Sequence, residues 1–144
     1  MLNKDSFYLT RTANAQHTLL WETYTNPEHI KHWNYPSYDW KCIDIEVNLK
    51  EGGFFKCKLQ SVKDDFLLEF NAVFNKVISN RLLDFTESYG RNFIMEFTPN
   101  ENGCIIMHKA DYESQNSVKV QQEYISLIID NYITYSEKLQ QSLL

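Results

Sequence analysis

Between residues 42 and 49 the chain alternates without a break: Ile43, Ile45, Val47 and Leu49 are apolar, while Cys42, Asp44, Glu46 and Asn48 take the other parity. A period of two puts one set on a sheet's buried face, so the pattern predicts a half-buried strand. The turn that follows, Glu51-Gly-Gly53, uses glycine, which enters positive φ at no steric cost. A second strand is predicted over 54–60, with Phe55, Cys57 and Leu59 on one face and Lys56 and Lys58 on the other. Three or four further strands fit about 66–77, 81–87, 92–98 and 104–112, separated by Ser79-Asn80, Tyr89-Gly90 and Pro99-Asn-Glu-Asn-Gly103. Sequential hairpins of this kind make an antiparallel meander.

The two ends of the chain read differently. Residues 7–12 are rich in strand formers and predict a first strand. A short helix is expected over 17–24, where Leu20, Trp21 and Tyr24 recur at helical spacing. Asn26 then caps, and Pro27 opens, a second short helix over 28–33. From about 118 to 143 the period is 3.6, with Val120, Tyr124, Leu127, Ile128, Tyr135 and Leu139 in one stripe. Ile125, Ile129, Tyr132 and Ile133 widen that stripe past half the circumference, which implies contact on more than one side. A sheet curved around the helix covers such an arc, with the small N-terminal helices or a partner subunit on the flank. The pattern is that of an α+β fold of about six to seven antiparallel strands, two short N-terminal helices and one long C-terminal helix, in a single domain over 1–144.

Composition adds one fact to that pattern. Nine Phe, nine Tyr and three Trp are an unusual load of large rings, which either fill a thick core or line a cavity. The net charge of −5, with no cluster of Lys and Arg, argues against nucleic acid as a partner. No apolar run approaches the roughly 18 residues of a membrane span, and the N-terminus lacks the apolar core of a signal peptide. Cys42, Cys57 and Cys104 are therefore expected to be free thiols in a reducing cytoplasm.

Candidate chemistry is sparse. His29 and His32 stand on one helix face, but no third ligand is indicated, so no metal is expected. A nucleophile elbow, a Cys-x-x-Cys pair and a phosphate loop are all missing from the sequence. Two polar residues fall at apolar parity: Asn131 in the helix stripe, and His108 in register with Cys104, Ile106 and Ala110. Each either makes a structural hydrogen bond or addresses a ligand from a pocket wall. Four aromatics, Trp33, Tyr35, Tyr38 and Trp40, crowd one loop, where they serve equally as a core plug or a binding mouth.

The stretch Trp21-Glu-Thr-Tyr-Thr-Asn-Pro-Glu-His-Ile-Lys-His-Trp33 resembles the signature of the START-like (SRPBCC) superfamily, and more closely the family named after the activator of the heat-shock-protein-90 ATPase. Trp40 with Cys42, Glu46-Val-Asn-Leu-Lys-Glu-Gly-Gly-Phe-Phe55 and Ile129-Asp-Asn-Tyr-Ile-Thr-Tyr135 are similar to that family too, in the same order. Where relatives commonly carry Asp and Arg before the Gly-Gly turn, this chain has Asn48 and Lys50, and Asn71-Ala72 replaces a common Glu-Gly. The resemblance implies the helix-grip fold, with a cavity between sheet and helix used across the superfamily for apolar molecules. It further implies a small hydrophobic or amphipathic ligand and a stress-linked role; no cofactor is expected. Trp33, Tyr35 and Trp40 are expected to close the cavity mouth, with Tyr124, Ile128 and Asn131 on the helix wall. On the strands the candidates are Phe55, Cys57, Phe70, Met95 and His108. Alternatives are an enzyme of cyclase or hydrolase type, for which His108 is the one candidate acid or base, and a chaperone-binding module. Either a monomer or a homodimer fits.

Overall fold

The computed structural model describes residues 5–144. Strand β1 (Ser6–Ala13) leads into helix α1 (His17–Thr25) and the single turn of α2 (Pro27–Ile30). Strands β2 (Trp40–Val47), β3 (Phe54–Ser61), β4 (Leu67–Ile78), β5 (Leu82–Glu87), β6 (Asn92–Asn100) and β7 (Gly103–Asp111) follow, and helix α3 (Val118–Ser142) ends the series. All seven strands form one antiparallel sheet in the order β1-β7-β6-β5-β4-β3-β2. Each hairpin neighbour in sequence is a neighbour in space, and β1 closes against β7. The sheet curves around α3, which is the helix-grip arrangement expected from the sequence.

Local chemistry sets the element ends. Asn26 Oδ1 accepts the Glu28 N–H at 3.0 Å ahead of Pro27, and Ser117 Oγ accepts the Val120 N–H at 3.1 Å at the start of α3. The two glycines between β2 and β3 serve different needs. Gly52 adopts φ +77°, whereas a Cβ on Gly53 would stand 2.0 Å from the Asn48 carbonyl oxygen.

Alternation puts Cys57, Ala72, Phe74, Leu83, Phe85, Phe93, Met95 and Phe97 on the concave face, all buried. Strand β7, apolar on both faces in the sequence, turns Cys104, Ile106, His108 and Ala110 inward. The alternation predicted for β2 needs correction. Cys42 pairs with Leu59 and Asp44 with Lys58, so Ile43 is the extra residue of a bulge and is exposed. The bulge reverses the parity: Cys42 is half-buried, and the inward register resumes at Ile45 and Val47. Strand β2 is an edge strand, and a bulge there interrupts the unpaired edge that would otherwise template further pairing.

The flank of α3 away from the sheet is covered by the N-terminal helices. Tyr132 donates its hydroxyl to the Leu20 carbonyl at 2.5 Å, and Thr23 and Ser136 share a hydroxyl hydrogen bond of 2.7 Å. Trp33 donates its indole N–H to the Thr23 carbonyl at 2.9 Å. The hydroxyls of Thr23, Ser136 and Tyr132 and the Trp33 indole N–H are thereby paired, as burial requires. The opposite side of α3 is held to β1 by Arg11 and Asp130, 3.0 Å apart.

Candidate functional site

Between α3 and the concave face the packing leaves a cavity of about 180 Å³. Its sheet wall is Val47, Phe55, Cys57, Leu59, Phe70, Phe74, Leu83, Phe85, Phe93 and His108; Ile125, Ile128 and Ile129 face them from α3. Tyr24, Thr25, Trp33 and Asn34 complete the wall beside the N-terminal helices. The rings contact one another in series. Phe55 meets Phe70 edge-on at 5.9 Å, Phe70 meets Phe93 at 5.6 Å, Phe93 stacks on Phe85 at 5.4 Å, and Phe85 meets Phe74 at 6.0 Å. Across from them Tyr24 stacks on Trp33 at 5.2 Å. Rings locked by rings hold their faces in place, so the space between them is built into the packing.

Polar groups on the wall are few. Among the described residues, the lining contains no Lys, Arg, Asp or Glu. His108 is 5% exposed and stacks on Phe93 with ring centroids 6.2 Å apart. Burial disfavours its charged form and pulls its pKa from 6.5 down to about 4, against a smaller upward pull from hydrogen bonding to the Ile94 backbone. The ring is therefore neutral at neutral pH, and its Nδ1 is buried without a hydrogen-bond partner. Asn34 donates weakly to Cys57 Sγ at 3.5 Å. Burial, aided by the nearby Cys42, pushes the Cys57 thiol up to about 12, so the sulfur stays protonated. Burial also raises the Tyr24 phenol well above its usual value.

Of the residues proposed from sequence, Trp33, Phe55, Cys57, Phe70, His108 and Ile128 come together on this wall. Five others do not. Tyr35 packs on Tyr38, and Trp40 lies edge-on to the exposed Phe66, both outside the lining. Tyr124 is half in solvent, and Met95 is fully buried in the core without reaching the cavity. Asn131 Nδ2 is buried with no partner, yet the residue is not part of the wall. The residues missed were Tyr24, Asn34, Val47, Leu59, Phe74, Leu83, Phe85, Phe93, Ile125 and Ile129, with Thr25. The alternation in the sequence put Val47 and Leu59 on buried faces; parity does not tell how far along a strand the helix stops touching the sheet.

His29 and His32 both gather around one ring of α3 instead of a metal. His29 Nδ1 is 2.6 Å from the Tyr135 hydroxyl, and the His32 ring stacks on Tyr135 at 5.5 Å. Among the described residues, no three His, Cys, Asp or Glu side chains converge as a metal site would need.

Residues 14–141 match the family described as “Activator of Hsp90 ATPase homolog 1-like protein”. The chain belongs to this family. Among solved structures it is similar to the AHSA1-like protein from Aeromonas hydrophila, at 23% identity and TM-score 0.88 over 94% of each chain. A protein from Cytophaga hutchinsonii is 25% identical with TM-score 0.77, over 97% of this chain and 96% of that one. A protein from Nitrosomonas europaea is 19% identical with TM-score 0.79, over 92% and 94%. A search of the curated proteins returned no match. At these identities the structural likeness concerns the fold alone, the helix-grip arrangement described above. The cavity that such a fold encloses between sheet and helix is, in this chain, the apolar space just described.

Proposed function

We propose that this protein binds a small hydrophobic or amphipathic molecule in the cavity between α3 and the sheet, without transforming it. The observation that carries the reading is an aromatic-walled space of about 180 Å³ whose lining includes one neutral imidazole, His108. Displacing water from apolar walls drives association, and a few placed polar groups fix orientation. Half-buried residues such as Val47, Phe55, Leu59, Ile125 and Ile128 line it, so the space is not sealed from solvent.

The same side chains serve catalysis poorly. A histidine held near pKa 4 is a weak base at neutral pH, and the wall offers no carboxylate to orient it. A thiol near pKa 12 offers almost no thiolate. Under this reading the chain works in the cytoplasm, where its three free cysteines stay reduced.

A thermal-shift panel of small aromatic and aliphatic molecules tests the proposal, because a ligand selective for the folded state raises stability by about 2.7 kcal/mol at a hundredfold excess over Kd. Ile128→Trp, which fills the cavity from α3, is expected to abolish every ligand-induced shift while the protein stays folded. A shift that survives in that variant places binding elsewhere and contradicts the proposal.

The second reading is contact with a chaperone, suggested by the family's description. Its favouring observation is a group of exposed apolar side chains around the turn between β3 and β4, Val62, Phe66, Leu67 and Leu68. Titrating a purified Hsp90-type chaperone against the wild type and Phe66→Asp decides it. Micromolar binding lost in the variant supports this reading, and its absence leaves the cavity reading alone.

A further inference from the structure

Resting on the cavity reading, one question is left by the wall itself: which molecule fits it. Volume sets the first bound. An apolar cavity of roughly 150 Å³ accepts benzene, so about 180 Å³ accommodates one six-membered ring with a few further heavy atoms. A sterol or an extended acyl chain would leave most of its apolar surface outside it, in water. The walls set the second bound. Phe55, Phe70, Phe85 and Phe93 present faces and edges in sequence, a surface complementary to another flat ring by offset and edge-on contact.

Charge sets the third. With no Lys, Arg, Asp or Glu among the described residues of the lining, an ionised ligand would sit there unpaired, which is costly in an apolar medium. The fourth comes from His108. Its ring lines the cavity and is neutral, and a neutral imidazole offers one donor and one acceptor. A hydroxyl both donates and accepts, so it can pair with an imidazole on the wall in either tautomer. A methyl group satisfies neither, and a carboxylate only the donor form.

We infer that the cavity selects a neutral monocyclic phenol-type ligand, one flat ring bearing a hydroxyl that hydrogen-bonds the His108 ring nitrogen. Such a ligand fills the aromatic slot and meets the one imidazole of the wall in one step. The hydroxyl must overcome its own hydration to enter, so a preference for it over a hydrogen-only isostere requires a partner inside.

The test is isothermal titration of the wild type at pH 7 with three probes of one shape: 4-methylphenol, toluene and 4-methylbenzoate. The expected result is 4-methylphenol binding about tenfold more tightly than toluene, the worth of one buried hydrogen bond, with 4-methylbenzoate weakest. In His108→Leu the phenol preference should vanish while toluene affinity stays within about twofold. Equal affinities for 4-methylphenol and toluene in the wild type overturn the hydroxyl inference and leave the cavity reading standing. Tighter binding of 4-methylbenzoate overturns neutrality. Binding of none of the three removes the cavity reading and this inference with it. The wild-type comparison stands by itself should the variant fail to fold.

Discussion

His108 and Cys57 lie within one apolar wall, and burial pushes both toward their neutral forms by opposite routes: it lowers the pKa of a base and raises that of an acid. Each has a measurable consequence. An unfolded histidine titrates near 6.5, and His108 near 4. Between those values the unfolded state carries more protons, so His108 favours folding fully above pH 6.5 and progressively less as pH falls to about 4. Over that window the loss is on the order of 3 kcal/mol. Urea titrations at pH 7 and pH 4.5 should therefore show a large drop for the wild type and a much smaller one for His108→Leu. Asp111 acts lower on the pH scale. Burial raises its pKa, but hydrogen bonds from the Asn92 N–H, Ser6 and Lys109 outweigh that and hold it below the ordinary carboxylate value. Its stabilisation is present above that ordinary value and is lost only as pH falls through the depressed one, so the two windows do not overlap. For Cys57, a pKa near 12 leaves about a thousandfold less thiolate at pH 8 than an unperturbed thiol has. Iodoacetamide should label half-buried Cys42 first and reach Cys57 only on unfolding.

At the scale of elements, the seam between α1 and α3 fixes how the helix sits over the sheet, and with it the cavity's roof. Tyr132→Phe removes the hydroxyl that bonds the Leu20 carbonyl and should cost about 1–2 kcal/mol with an unchanged urea m-value. A cost below ~0.5 kcal/mol would mean the seam is held by ring packing alone, Tyr132 against Tyr24 and Trp33. Most of this level was legible in the sequence. Alternation in 54–60 and 81–87, the turn residues between strands and the wide apolar arc of α3 each carry their own period, and each element formed where its period said. The bulge at Ile43 was not legible, because an unbroken alternation is also what a strand with one extra residue shows once the extra residue is apolar. Tyr35, Trp40 and Tyr124 illustrate a second limit. Hydrophobicity and position on a loop or helix rim are shared by rings that face a cavity and rings that face a neighbour, and only the closure of the chain separates them. His108 and Asn131 were legible as polar residues at apolar parity, and they are the two side chains with buried unpaired nitrogen among the described residues.

The whole molecule is a curved sheet whose concave side is too wide for one helix to fill. Packing at native density leaves few voids larger than a water molecule, so a space of about 180 Å³ walled by locked rings is a retained feature of this sequence. A cavity of that size also lowers stability, and a substitution that fills it should raise the melting temperature while ending ligand binding. Phe74→Trp, from the floor of the same space, is expected to do both. A melting temperature that falls with binding intact would mean that the space is not free to be filled. The account's central claim, that a small apolar molecule enters between α3 and the sheet, is tested most directly by a methyl-resolved NMR titration with 4-methylphenol. The account predicts saturable shifts at Leu59, Leu83, Ile125, Ile128 and Ile129, which line the cavity, and none at exposed Ile43, Val62, Leu67 and Leu68. Shifts confined to the exposed set, or no saturable shift at all, would contradict it.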